Sequence, residues 1–332
     1  MKDKEPTMPQ LDGKPSTAPA APTRLTVIGE SLVDIITGQG TPVEVRPGGS
    51  PLNVAAACSR LGLPTTLITH YGADVHGQMI NAQLAADGVT VINAGTAPTS
   101  RAIAFPDADG SSDYFFDIIW DMSVASIRAV AAIEDSAHVH AGSMAAVLAP
   151  GNEAVYSLLR GARDHATISY DTCRPAISPD VGRACREAEK FVRISDIVKA
   201  SDKDLSWLYP DMTLEQVVKS WLKLGPSLVV VTRGTQCLVI ATDGNVLRMP
   251  AKLTGVADTA GPGDAFMAAL LAGLHHLDLL GPPARKQLGN LSSDTLRRLA
   301  VDANKASAAT LSRPGANPPW SAEIAALKQL AG

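Results

Sequence analysis

The sequence predicts an α/β fold of three layers: a central, mostly parallel sheet with helices on both faces, and a small β-lid beside it. Three observations predict it. Short runs rich in β-branched residues alternate with helical patterns from about Arg24 to Ala316, as strand–helix–strand crossovers do. The run Leu228-Val229-Val230-Val231 is apolar throughout, as in a parallel strand buried on both faces. Two stretches, roughly 35–47 and 97–120, alternate around turns instead and read as hairpins standing off the main sheet. Folds of this class hold ligands beyond the C-terminal ends of their strands.

Composition narrows the function. A chain of 332 residues can bury the core of one large α/β domain. Residues 1–22, rich in Pro, Ala and Lys without an apolar core, read as a disordered leader, and 23–332 as the domain. A formal net charge of -4 argues against nucleic acid as the main partner. Cys58, Cys173, Cys185 and Cys237 are scattered, which suits a reducing cytoplasm better than a disulfide scaffold or a zinc site. No apolar run reaches membrane-spanning length.

In chain order, Arg24 to Gly29 is a first strand, and Asp34 is a carboxylate just past its C-terminal end. Taken alone, Asp34 reads as an ordinary loop residue. In Pro47-Gly48-Gly49-Ser50-Pro51-Leu52-Asn53, Ser50 is the expected N-cap, Pro51 the first helical residue and Gly62 the stop. Asn53 then lies in the first turn, able to donate and accept toward a polyol. A strand at 65–69, a helix at 78–86 closed by Gly88, and a strand at 89–92 follow. The hairpin around Asp107–Gly110 carries Arg101 and Phe115, which either reach toward a substrate if the lid closes over it or are solvated residues of an edge strand.

His138-x-His140 has strand spacing that puts both rings on one face, but no further ligands for a metal accompany them, so they read as packing. The strand at 166–170 ends in Asp171-Thr172-Cys173-Arg174-Pro175, and Ile197 to Ala200 is another, followed by a helix start at Ser201-Asp202. Thr213-Leu214-Glu215-Gln216 is a capping box, and Gly225-Pro226 stops its helix. Leu228–Val231 then delivers Thr232-Arg233-Gly234.

The most informative stretch is Asp258-Thr259-Ala260-Gly261-Pro262-Gly263-Asp264, which opens the apolar helix from Ala265 to Leu274. Gly261 and Gly263 allow a tight turn, and amides feeding a helix N-terminus form an anion site. Asp264 in that first turn is placed either to cap a core helix or to take a proton from an attacking hydroxyl.

This string resembles the Asp-Thr-x-Gly-Ala-Gly-Asp signature of the ribokinase (PfkB) family of carbohydrate kinases, and Gly48-Gly49…Asn53 is similar to the family's sugar-binding element. The resemblance implies a ribokinase-like fold and an ATP-dependent, cytoplasmic sugar kinase using Mg²⁺, with Asp264 as base and Gly261 and Gly263 lining the anion hole. It further implies that Asp34, Gly48, Gly49, Asn53, Arg101, Phe115 and Arg174 meet the sugar, and that Lys199, Thr232, Gly234 and Asn304 meet the nucleotide. Lys199-x-x-Asp202 matches the fructokinase-like form of an element that organises Mg²⁺ through water, with Asp202 as the carboxylate. Asp258 and Ser312 mark the place where several members hold a monovalent cation such as K⁺. Cys173 stands where fructokinase-like members have Asn, and Pro262 where Ala is common. Fructose is the favoured substrate. A 2-keto-3-deoxygluconate, ribose or nucleoside kinase, and an inactive sugar-binding relative, are the alternatives, and an exposed lid edge allows a homodimer.

Overall fold

The computed structural model of the protein describes residues 24–38, 41–106, 112–122, 127–173, 180–234, 237–250 and 260–329. Its strands are β1 (Arg24–Ile28), β2 (Leu32–Gly38), β3 (Thr41–Gly48), β4 (Thr65–Thr69), β5 (Thr90–Asn93), β6 (Ser100–Pro106) and β7 (Ser112–Asp117). The later strands are β8 (Ser136–Gly142), β9 (Thr167–Asp171), β10 (Ile197–Ser201), β11 (Leu228–Arg233), β12 (Cys237–Ala241) and β13 (Val246–Met249). The helices are α1 (Ser50–Arg60), α2 (Val75–Ala86), α3 (Ile127–Glu134), α4 (Gly151–Ala162), α5 (Val181–Ile194) and α6 (Asp202–Leu208). They continue as α7 (Leu214–Leu224), α8 (Pro262–His276), α9 (Arg285–Leu288), α10 (Ser293–Leu311) and α11 (Ser321–Gln329).

The nine-stranded central sheet runs β13-β12-β11-β10-β9-β8-β1-β4-β5. Every pairing from β11 to β5 is parallel, and β12 and β13 add an antiparallel edge. Successive residues of a strand face opposite ways, and the core divides accordingly. Val27, Leu67 and Val230 join α1, α2, α8 and α10 in one cluster, while Ile28, Ile68 and Val229 join α4, α5 and α7 in the other. The result is three layers. Helix α8 is apolar almost all round because it lies inside the first cluster, packed on both α1 and α10.

Three local expectations are corrected. Helix α2 begins at Val75 and not at Gln78, because Asp74 caps it, accepting the Gly77 amide at 2.9 Å and the Thr99 amide at 2.8 Å. Ser50 does not cap α1. Gly49 takes that place at φ 106, where an added Cβ would stand 2.7 Å from the Glu30 carbonyl oxygen. Asp34 does not lie in a loop after β1, since Leu32 opens a new strand in the second sheet.

That second sheet has the order β3-β2-β6-β7. Its register pairs Asp34 with Arg46 and with Ala102, and Ala102 with Phe116. Paired residues share a face, so Asp34, Arg46, Ala102 and Phe116 lie on one side of the sheet. Arg101 pairs with Val33 and Asp117, and Phe115 with Ile103. Arg101 and Phe115 therefore lie on the opposite side from Asp34. The turn expected at Asp107–Gly110 lies outside the described residues.

Candidate active site

Two helix N-termini meet at Asp264. Gly261 adopts φ 78 as the N-cap of α8, and an added Cβ there would stand 2.6 Å from the Ala316 Cβ. With Pro262 at the first helical position, the amides of Gly261, Gly263 and Asp264 have no acceptor within the helix and point to where an anion can bind. Asp264 Oδ1 accepts the Ser50 hydroxyl at 2.6 Å, and Oδ2 accepts the Asn53 side-chain amide at 2.8 Å. Ser50 and Asn53 belong to the first turn of α1, so the hydroxyl expected to cap that helix instead orients a carboxylate on another. Burial raises the Asp264 pKa above its ordinary value, while the bonds from Ser50 and Asn53 and the charge of Lys199 pull it back. The outcome is a carboxylate more basic than usual and held in a fixed orientation.

On the lid side, Gly48 is small for a reason: an added Cβ would stand 2.2 Å from Asp34 Oδ2. Arg46, on the same face as Asp34, lies against Gly315, where an added Cβ would meet its Nη1 at 3.1 Å. Asp34, Gly48, Gly49, Ser50, Asn53, Gly261, Gly263 and Asp264 thus form one continuous constellation around the start of α8.

Below the same turn, Lys199 Nζ donates to Asp171 Oδ2 at 2.6 Å. Asp171 and Lys199 are register partners at the C-terminal half of β9 and β10. Burial opposes the charge on Lys199, but Asp171 raises its pKa overall. Asp171, Ser50 and Arg46 were not named as site residues from the sequence. For Asp171 the available signal was its position at the end of a strand, four residues before Pro175.

The remaining candidates are dispersed. Thr232 is the penultimate residue of β11, beside its register partner Ser201, and Gly234 is exposed just beyond the strand. Asp202 opens α6 and pairs with Arg233 at 3.4 Å, whereas Asp204 is engaged by Ser201 in a capping box. Asn304 is half-buried on α10. Ser312 is exposed, its hydroxyl donating to the Ala309 carbonyl at 2.8 Å. Arg101 is exposed and paired with Asp117, and Phe115 is 58% exposed. Neither is brought to the Asp34 constellation. Arg174 and Asp258 lie outside the described residues.

His138 and His140 are buried, joined through the Ser169 hydroxyl at 2.7 and 2.8 Å. Among the described residues no group of three or more His, Cys, Asp or Glu side chains is placed to hold a metal.

A family model described as "pfkB family carbohydrate kinase" matches residues 23–323. The chain belongs to the pfkB family of carbohydrate kinases. This pfkB kinase is 31% identical over 319 residues to fructokinase-1 of Oryza sativa subsp. japonica, covering 90% of this chain and 95% of that one. It is 29% identical over 280 residues to the fructokinase of Rhizobium leguminosarum bv. trifolii, covering 81% of this chain and 84% of that protein. In fold it resembles the ATP-bound fructokinase of Xylella fastidiosa, with a TM-score of 0.83 at 22% identity over 93% of this chain and 99% of that one. As a pfkB-family carbohydrate kinase it is a phosphotransferase with an alcohol group as acceptor. Among its described residues no helix is long and apolar enough to cross a membrane.

Proposed function

We propose that this enzyme transfers the γ-phosphoryl group of ATP to a primary hydroxyl of a small sugar, fructose first among them. The observation that carries the reading is Asp264, a carboxylate of raised basicity held by Ser50 and Asn53 in the first turn of α8, next to amides without helical acceptors. A base and an anion site a few ångströms apart are what phosphoryl transfer to an alcohol needs.

In the reaction, Asp264 takes the hydroxyl proton as the sugar oxygen bonds to the γ-phosphorus. The bond from that phosphorus to the bridging oxygen breaks, and ADP leaves with its electron pair. The amides of Gly261, Gly263 and Asp264 receive the charge that builds on the transferred oxygens. Asp34 and Asn53 hold sugar hydroxyls, and the glycines at 48 and 49 leave room for them. Thr232, Gly234 and Asn304 line the path of the nucleotide, beyond the C-terminal end of β11. Lys199 reaches the phosphates.

Mg²⁺ neutralises phosphate charge when bound. The donor set suits that ion, which retains water and takes few protein ligands: Asp202 is a single partly exposed carboxylate at a strand end, already turned toward Arg233. Asp258 and Ser312 are the proposed surroundings of a K⁺ ion. Strands β3 and β7 are open edges of the lid sheet and Val43 is 60% exposed on it, which supports a homodimer. Light scattering at the mass of one chain would rule that out.

A panel of fructose, ribose, 2-keto-3-deoxygluconate and nucleosides, each with ATP and Mg²⁺ and read by ADP release, tests the assignment. Fructose is expected to give the highest kcat/KM. A higher value on another acceptor reassigns the substrate, and no turnover on any leaves an inactive sugar binder.

A further inference from the structure

The anion loop is one donor short. Pro262 has no N–H, so the turn offers three backbone donors where most residues at that position would make four. Lys199 stands against the next residue of the turn: a Cβ built on Gly263 would lie 3.4 Å from its Nζ.

This ammonium has little freedom. Its side chain and that of Asp171 are 6% and 7% exposed, and the pair is closed at 2.6 Å across adjacent parallel strands. The charged and titratable groups that face it are Asp171, Asp264, Asp204 and His140. His140 cannot compete as a second cation, because burial and Lys199 itself pull its pKa down to about 3. Its Nδ1 bonds to Ser169, which bonds to His138, which reaches Thr167 at 2.8 Å, so this flank is a fixed uncharged chain. Three carboxylates, of which Asp204 is also engaged by Ser201, therefore share one ammonium. Asp171 takes it, which leaves Asp264 free to accept a proton and the ammonium turned toward the loop.

We propose that Asp171 is a positioning residue, holding Lys199 beneath the first turn of α8 so that its ammonium replaces the donor missing at Pro262. This rests on the kinase reading above. Lys199 keeps its proton throughout, and it acts on the charge that builds on the phosphoryl oxygens. A neutral loop donor and a buried cation are alternative ways to stabilise the same charge, so their contributions must be coupled and not additive.

The test is a double-mutant cycle in steady-state kinetics with ATP and fructose. Lys199→Met is expected to lower kcat about 100-fold, the scale of one oxyanion contact, while the sugar KM stays within about threefold. Pro262→Ala is then expected to raise kcat about tenfold in the Lys199→Met background but only about twofold in the parent. Equal gains in both backgrounds overturn the compensation. Asp171→Asn is expected to lose most of what Lys199→Met loses, and Asp171→Glu distinctly less; parental kcat in Asp171→Asn overturns the positioning role. Because a lone buried ammonium endangers folding, the double variant Asp171→Asn, Lys199→Met accompanies it, and a kcat above that of Lys199→Met alone also counts against the proposal. Should the parent transfer nothing to any acceptor, the kinase reading fails first. Calorimetry with a non-hydrolysable ATP analogue still decides the loop: Lys199→Met must weaken the analogue at least about tenfold more than ADP, and equal weakening overturns it.

Discussion

The side-chain amide of Asn53 donates to Asp264 Oδ2 at 2.8 Å, joining the first turns of two helices across 211 residues of sequence. Ser50 completes the grip at 2.6 Å. A carboxylate tied at both oxygens keeps one orientation, and the bonds favour its charged form against the burial that disfavours it.

If Asp264 is the base, Asp264→Asn removes proton acceptance while keeping shape. The expected outcome is a kcat lower by about 10²–10⁴-fold with sugar affinity nearly unchanged. Steady-state rates and a melting curve check it. A variant that melts lower yet turns over at the parental rate would leave Asp264 as a cap alone.

Removing Asn53 acts on two partners. Asn53→Ala is expected to weaken sugar binding by about 1–3 kcal/mol while ATP affinity changes little. It also deletes a bond that lowers the Asp264 pKa, so the acid limb of the kcat/KM profile should move to higher pH. Equal calorimetric losses for sugar and ATP, or an unmoved limb, would contradict these roles.

Gly48→Ala tests the lid. The new methyl must displace the Asp34 carboxylate, which stands 2.2 Å from its ideal position. The sugar KM should rise at least about tenfold, in line with losing one hydrogen bond to a charged group. The melting temperature should shift by only a few degrees, because the face is partly solvated. Unchanged sugar affinity measured by calorimetry would place the sugar elsewhere.

Glu30 gives a pH dependence of stability. It is 1% exposed; Oε2 accepts the Ala145 amide at 2.9 Å, and Oε1 has no hydrogen-bond partner among the described residues. Burial pushes its pKa from 4.5 up to about 7. A carboxyl whose pKa is raised on folding holds its proton more tightly in the folded chain. Its ionisation therefore costs nothing below the unfolded value and progressively more as pH climbs through 4.5 to 7. Above that window the cost is about 3 kcal/mol. Glu30→Gln is expected to stabilise the protein by up to that amount at pH 8 and hardly at pH 4, in urea titrations at both. The same increment at both pH values would be evidence against a buried ionisation.

Local chemistry made much of this protein legible from its sequence. The glycines at 49, 62, 88 and 261 take positive φ where turns or helix ends were expected, because that conformation depends on the residue itself. Alternation of strand and helix patterns announced a layered parallel sheet, since burial on both faces leaves an apolar run that needs no partner to be recognised. Asp264 stood out because a carboxylate in a glycine turn before a buried helix has few uses.

Tertiary structure alone decided which side chains meet. Arg101 and Phe115 looked as well placed as Asp34, but the pairing of β2 with β6 and of β6 with β7 sends them to the other face, and a shift of one residue reverses every side chain. Ser50 has the composition of a cap, yet Gly49 already closes α1 and α8 brings a carboxylate to the hydroxyl. Asp171 and Lys199 are 28 residues apart and meet only because β9 and β10 are parallel neighbours in register. Spacing along the chain encodes helix faces and strand alternation, which are properties of single elements. Contacts between elements depend on register and packing, and those exist only once the chain has folded.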